Sequence, residues 1–227
     1  METSSHTARR IGGAAGLGAA VLLLVQFVMV GAPPENDAPV AEIQKFLLDN
    51  RTGGLASVVL AALVVPLFIV FGAALWDAVA ERVGNGLTAG ALLGGALFML
   101  LELLAATLFF GIAWIDGAAE GLGTDVVQVG WNIVNVTFAV AGPLATLFLV
   151  VVGIAQLRQG TAKWTAWVAF LAAAVLLVGT LGAVFPALLG LNFLGSILLA
   201  LWILVTGIRL LRGSFDGPPA GTTATRP

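Results

Sequence analysis

The sequence predicts an all-α fold, a bundle of six transmembrane helices, on three observations. Hydrophobic residues fill 59% of the 227 positions even without the 29 glycines, against roughly 45–50% with glycine counted in a soluble domain. Charged residues are only 10%, where about 25% is usual, too few to cover a water-soluble globule. Several uncharged runs reach the 20 or so apolar residues that cross a hydrocarbon core of roughly 30 Å.

Residues 1–10 read as a short polar tail. The first span is predicted near 11–31, because Ile11 to Val30 carries no charge and one strongly polar side chain, Gln26. Arg9-Arg10, this run and Val30-Gly31-Ala32 also have the outline of a secretory signal with a small-residue cleavage site. A signal core is about 7–15 residues, shorter than this run, and Pro33 would follow the cut and hinder it. Both features favour a retained span, and cleavage would leave the orientation of the other five unchanged.

Residues 31–54 form the largest predicted loop. Asp37 precedes Ala38-Pro39, an N-cap followed by an early-turn proline. Val40, Ile43, Phe46 and Leu47 recur at helical spacing, opposite Glu42, Lys45 and Asp49. This predicts an amphipathic helix over 38–49 on the outer membrane surface. It either packs on the ends of the spans or covers a cavity as a lid.

The second, third and fourth spans are predicted near 55–76, 87–114 and 126–157, interrupted by Pro66 in the second and Pro143 in the fourth. The loops 77–86 and 158–163 are too short for a catalytic domain. Loop 115–125 is short and acidic, with Thr124 as a helix N-cap and Asp125 favoured by the helix dipole. Trp164 to Ile208 is uncharged throughout and as one helix would run to about 67 Å, twice a bilayer. It must fold back near Pro186 and Gly190, giving spans near 164–184 and 188–210 and a transmembrane domain over 11–212. Residues 213–227, rich in Gly, Pro and Thr, read as a disordered tail. Gly12 with Gly16, and Gly90 with Gly94, have the spacing that lets helix backbones approach closely, within one chain or between two.

Orientation follows from charge, since cytoplasmic loops are enriched in Lys and Arg. Arg9, Arg10, Arg82, Arg158, Lys163, Arg209, Arg212 and Arg226 share one side of a six-span layout, while only Lys45 and Arg51 fall on the other. Glu35, Asp37, Glu42, Asp49, Asp116, Glu120 and Asp125 lie opposite the basic side. Both termini are therefore expected in the cytoplasm. Trp76, Trp114, Trp131, Trp164 and Trp167 stand near span ends, where indoles favour the headgroup layer. The Ala, Gly, Val and Leu bias points to a bacterial chain from a GC-rich genome, hence to the bacterial cytoplasmic membrane.

Glu102 is the one acid inside a span, close to the expected centre of the third. An ionised carboxylate there costs about 2.5–3.5 kcal/mol on insertion scales. It either stays protonated and hydrogen-bonded or faces a wet cavity. No Lys or Arg lies at matching depth. Gln26, Asn132, Asn135, Thr180 and Asn192 lie in the outer halves of their spans, and Thr107 lies above Glu102 on its own helix. Gln128, Asn132 and Asn135 repeat at i, i+4, i+7 and share one face of the fourth span. Together these residues predict either interhelical hydrogen bonding or a polar cleft ending at Glu102.

Absent parts exclude several chemistries. There is no Cys, and His6 is the single His, so thiolate sites, disulfides and His-based metal clusters are excluded. Ser196 has no His to activate it, Glu102 has no second intramembrane carboxyl, and no phosphate loop or nucleic-acid-binding basic patch is present. No catalytic residue, metal or cofactor is predicted.

Ala-Arg-Arg-Ile-Gly-Gly at 8–13, Ala41-Glu42-Ile43-Gln44-Lys45-Phe46 and Asp49-Asn50-Arg51 leading into the second span resemble a broad group of bacterial six-span membrane proteins described only as domains of unknown function. The resemblance implies the layout and no mechanism. The expected role is a non-enzymatic structural or accessory membrane component, with the bilayer, other membrane proteins or a second copy as partners and no nucleic acid. The competing expectation is a small proton- or cation-linked transporter using Glu102. A third, a membrane enzyme on lipid substrates, would have only Asp77 and Glu81 as acids on the cytoplasmic side.

Overall fold

The computed structural model describes residues 2–31, 33–35, 37–112, 114, 123–160 and 163–213. Seven α-helices occur among them: α1 (Glu2–Val30), α2 (Val40–Asp49), α3 (Arg51–Val83), α4 (Asn85–Gly111), α5 (Thr124–Gln159), α6 (Lys163–Thr180) and α7 (Gly190–Leu211). Two 3-10 turns, Leu181–Ala183 and Pro186–Leu188, join α6 to α7. The described residues contain no strand. Six helices are long and apolar enough to cross a membrane, all except α2, so the chain is an all-α, multi-pass membrane protein.

The helices are longer than the apolar runs. Residues 2–10 are the first turns of α1 rather than a tail, and 77–83 are the last turns of α3 rather than a loop. Only Gly84, at φ +89°, separates α3 from α4, a backbone conformation that glycine adopts without a Cβ clash. α4 ends at Gly111, three residues before the expected end. α3 and α5 continue through Pro66 and Pro143. Neither expected side-chain cap forms. Pro39, not Asp37, is the N-cap residue of α2, and Thr124 is the first helical residue of α5, after Gly123. The tail beyond Gly213 and most of loop 115–125 lie outside the described residues.

The six long helices close into a ring in chain order: α1 packs on α3, α3 on α4, α4 on α5, α5 on α6, α6 on α7, and α7 back on α1. Every neighbour is antiparallel, so the ring has two distinct ends. One carries α2. The other carries Arg9, Arg10, Arg82, Arg158, Lys163, Arg209 and Arg212, with Arg158 Nη1 donating to the Arg82 carbonyl and Arg209 Nη1 donating to Thr165 Oγ1 at 2.8 Å. These are called the α2 end and the basic end.

In lipid the close fit of surfaces, rather than escape from water, holds helices together. Small residues make that fit possible. A Cβ on Gly207 of α7 would lie 2.9 Å from the Gly13 carbonyl and 3.0 Å from Leu17 N of α1, so these backbones touch. Gly12 and Gly16 receive Ala74 and Phe71 of α3, which places that pair inside the bundle. Gly94 packs on the Leu144 carbonyl of α5, whereas Gly90 faces open space. Thr146 Oγ1 donates to the Ala173 carbonyl at 3.0 Å between α5 and α6.

Two buried clusters divide the interior. Towards the basic end, Phe68 and Phe71 of α3, Phe148 of α5 and Trp202 of α7 meet across the ring, with centroids 5.2 Å apart for Phe68–Phe148 and 5.6 Å for Phe148–Trp202. All four are at most 1% exposed. They form an aromatic plug. At the α2 end, Ile43 and Leu47 of α2 are fully buried against a cluster that includes Phe109, Phe110, Val127 and Trp131. The short helix is thus anchored on the ends of α4 and α5, as its apolar face requires.

Candidate functional site

Between the plug and the α2 end the ring is not filled. It encloses an open cavity of about 1080 Å³, at the upper end of the range for small-molecule sites, about 300–1,000 Å³. Leu23, Val64, Phe98 and Leu199 form its inner wall, and the α1–α2 connection (Gly31, Pro33, Glu35, Asp37) and Pro186–Gly190 border its mouth. Phe46 of α2 joins the wall and stacks at 6.1 Å on Phe109 of α4.

Glu102 lines this cavity. It lies four residues beyond the middle of α4, about 6 Å towards the α2 end at 1.5 Å per residue. Its carboxyl makes no hydrogen bond or ion pair with another described residue, and its oxygens are not sealed in the wall. The single intramembrane acid therefore faces a chamber rather than a protein partner.

Of the other residues singled out by sequence, three share the chamber. Asn135 of α5, Asn192 of α7 and Gln26 of α1 line it. Asn192 Nδ2 donates to the Gly179 carbonyl at 3.0 Å, holding the amide, while its buried Oδ1 has no partner. Gln26 Nε2 is likewise buried and unpartnered. Three do not share it. Asn132 is exposed and accepts from Gln128 Nε2 at 3.2 Å, and Thr107 is exposed and donates to the Leu103 carbonyl at 2.8 Å. Thr180 donates to the Leu176 carbonyl of its own helix and is not in the wall.

Angular position explains these corrections. Trp131, Val134, Asn135 and Phe138 of α5 face the cavity. At 100° per residue, Asn132 lies about 110° from the middle of that face and Thr107 about 120° from the middle of the cavity face of α4. The i, i+4, i+7 row falls on the edge of the cavity face and only Asn135 reaches in.

Sequence reasoning missed most of the wall. Eight aromatic residues line the chamber: Phe27, Phe46, Phe98, Phe109, Phe110, Trp131, Phe138 and Phe193. Glu35 and Asp37 stand at the mouth, and Ser57 and Ser196 are in the wall. The absence of Lys, Arg and His from the lining was the available signal, because the spans contain almost none.

On the other side of the plug, Gln156 and Thr206 are buried with unpartnered side-chain polar atoms. Unmet polar groups thus flank the aromatics on both sides. No group of three or more potential metal-ligating side chains occurs among the described residues. Comparisons of the chain with protein-family models, curated proteins and solved structures return no match.

Proposed function

We propose that this chain is a small proton- or cation-linked transporter of the bacterial cytoplasmic membrane, with the basic end and both termini in the cytoplasm and the α2 end outside. The observation that carries the proposal is Glu102, an ionisable group without a partner among the described residues, on the wall of a chamber that opens at one end. Intramembrane acids are costly and mark ion or substrate pathways. A purely structural acid would be expected to bond a neighbouring helix. The orientation rests on the positive-inside rule, which the clustering of seven described basic residues at one end supports. The aromatic plug supplies the barrier that a transporter must keep on one side of its site. Unpartnered Gln156 and Thr206 beyond it offer polar groups for a path that opens when the plug parts. The resemblance to six-span bacterial proteins is compatible with this role and adds no mechanism to it.

Proteoliposomes loaded with a pH-sensitive dye test the proposal. A panel of monovalent metal ions, organic cations, amino acids and sugars is added against an imposed inside-acid gradient. At least one class is expected to dissipate the gradient with the wild-type chain and none with Glu102→Gln. Failure of every class with the wild type overturns the transporter reading in favour of a structural or accessory component.

A further inference from the structure

We infer that the chamber binds an amphiphilic organic cation, a single positive charge on an apolar body, with Glu102 as its counter-ion. The inference rests on the reading of the chamber as a solute site and deepens it.

Charge is the first argument. Glu35 and Asp37 at the mouth and Glu102 within are the only charged side chains in the lining among the described residues, and all three are acids. A cleft of one sign with low-dielectric walls concentrates counter-ions of the other. An anionic amphiphile meets no compensating charge anywhere in this wall. A neutral one offers the deep carboxyl no counter-charge.

The wall itself is the second. Phe98, Phe109 and Phe110 share the helix face of Glu102, and Trp131 of α5 lies 4.9 Å from Phe109 between ring centroids. Aromatic faces attract cations, by about 2 kcal/mol or more where water is excluded. A carboxylate among rings suits an ammonium or phosphonium bearing apolar groups. It suits a divalent metal ion poorly, because Glu102 is the one acid in the wall away from the mouth and no group of three or more metal-ligating acids or histidines occurs among the described residues. The volume of about 1080 Å³ also fits an organic body.

The mouth is the third. Its rim includes Val28 and Phe193, 83% and 45% exposed, on the adjoining helices α1 and α7. Apolar rim residues beside two carboxylates match a ligand with one apolar and one cationic end. Asn192 Oδ1, fixed by the bond to Gly179 and otherwise unpartnered, can accept from an N–H of such a ligand.

Uptake then exchanges charge for charge. A proton carried on Glu102 leaves to solution as the cation arrives, so the exchange keeps the site neutral. No other titratable group from α1, α3, α5 or α7 lines the chamber, and Glu35 and Asp37 stand at its mouth, so Glu102 is the group on which the exchange depends.

Calorimetry on the detergent-purified full chain, titrated with tetraphenylphosphonium, tests this. One equivalent is expected to bind, with proton release visible in weak buffer and affinity falling as the pH is lowered. Glu102→Gln is expected to weaken binding by at least about tenfold, and Phe109→Leu to weaken it by a smaller factor without removing the pH dependence. Equal binding of decanoate, unchanged binding in Glu102→Gln, or no binding of the phosphonium overturns the inference. If the phosphonium fails while another solute moves protons in liposomes, the ligand class falls and the transporter reading stands. If the phosphonium binds through Glu102 and nothing moves protons, the ligand class stands and transport falls.

Discussion

Glu102→Leu is expected to raise the stability of the purified protein while abolishing cation binding. Polar groups kept at functional sites are held at a cost in stability, and the Glu102 carboxyl makes no hydrogen bond or ion pair with a described residue that would offset it. Leucine removes that cost and adds contacts with Phe98, Met99 and Ala106, its neighbours on the cavity face. The unfolding free energy should therefore rise by about 0.5–2 kcal/mol. Reversible unfolding in mixed micelles measures it. An acid kept for hydrogen bonding between helices gives the opposite sign, because its loss strands the partner group. The direction of the change thus separates a functional acid from a structural one.

Trp202→Ala is expected to have the largest destabilising effect. Trp202 is 1% exposed and touches both Phe71 and Phe148 edge-on, with centroids 6.3 and 5.6 Å away. Its indole N–H has no hydrogen-bond partner, so truncation removes packing alone. Trp→Ala in a close-packed interior costs about 3–5 kcal/mol. The void would also thin the plug between the chamber and the basic end. Liposomes containing Trp202→Ala should leak protons without added solute, whereas Trp202→Phe, which keeps a ring in place, should stay tight. A stable and tight Trp202→Ala would mean that the barrier lies elsewhere.

Much of this architecture was legible because lipid demands long uncharged runs, and the fold-back at Pro186 and Gly190 followed from length alone. Helix ends were less legible. Asp77, Glu81 and Arg82 mark where lipid stops, yet α3 continues through them to Val83, since a helix is free to project beyond the bilayer. Glu102, Gln26, Asn135 and Asn192 were found because polar residues in spans are rare. Asn132 and Thr107 were misplaced because a helix offers several faces and depth alone does not choose one. The aromatic wall was invisible. A Phe facing the chamber, such as Phe98, and a Leu facing lipid, such as Leu97, both satisfy an apolar span. In a soluble protein hydrophobic periodicity separates inside from outside. In a membrane that contrast largely disappears.

The chamber opens on the α2 side, extends to Glu102 and stops at the aromatic plug. Because the chain has no Cys, single cysteines at 102, 135 and 192 report on the chamber, at 148 and 202 on the plug, and at 100 on the lipid face, where Leu100 is 47% exposed. A small membrane-impermeant thiol reagent is applied from each side of oriented membranes in turn. Reaction is expected at 102, 135 and 192 from the α2 side only, and none is expected at 148, 202 or 100. An unreactive 102, or reaction at 202 from either side, would contradict this arrangement.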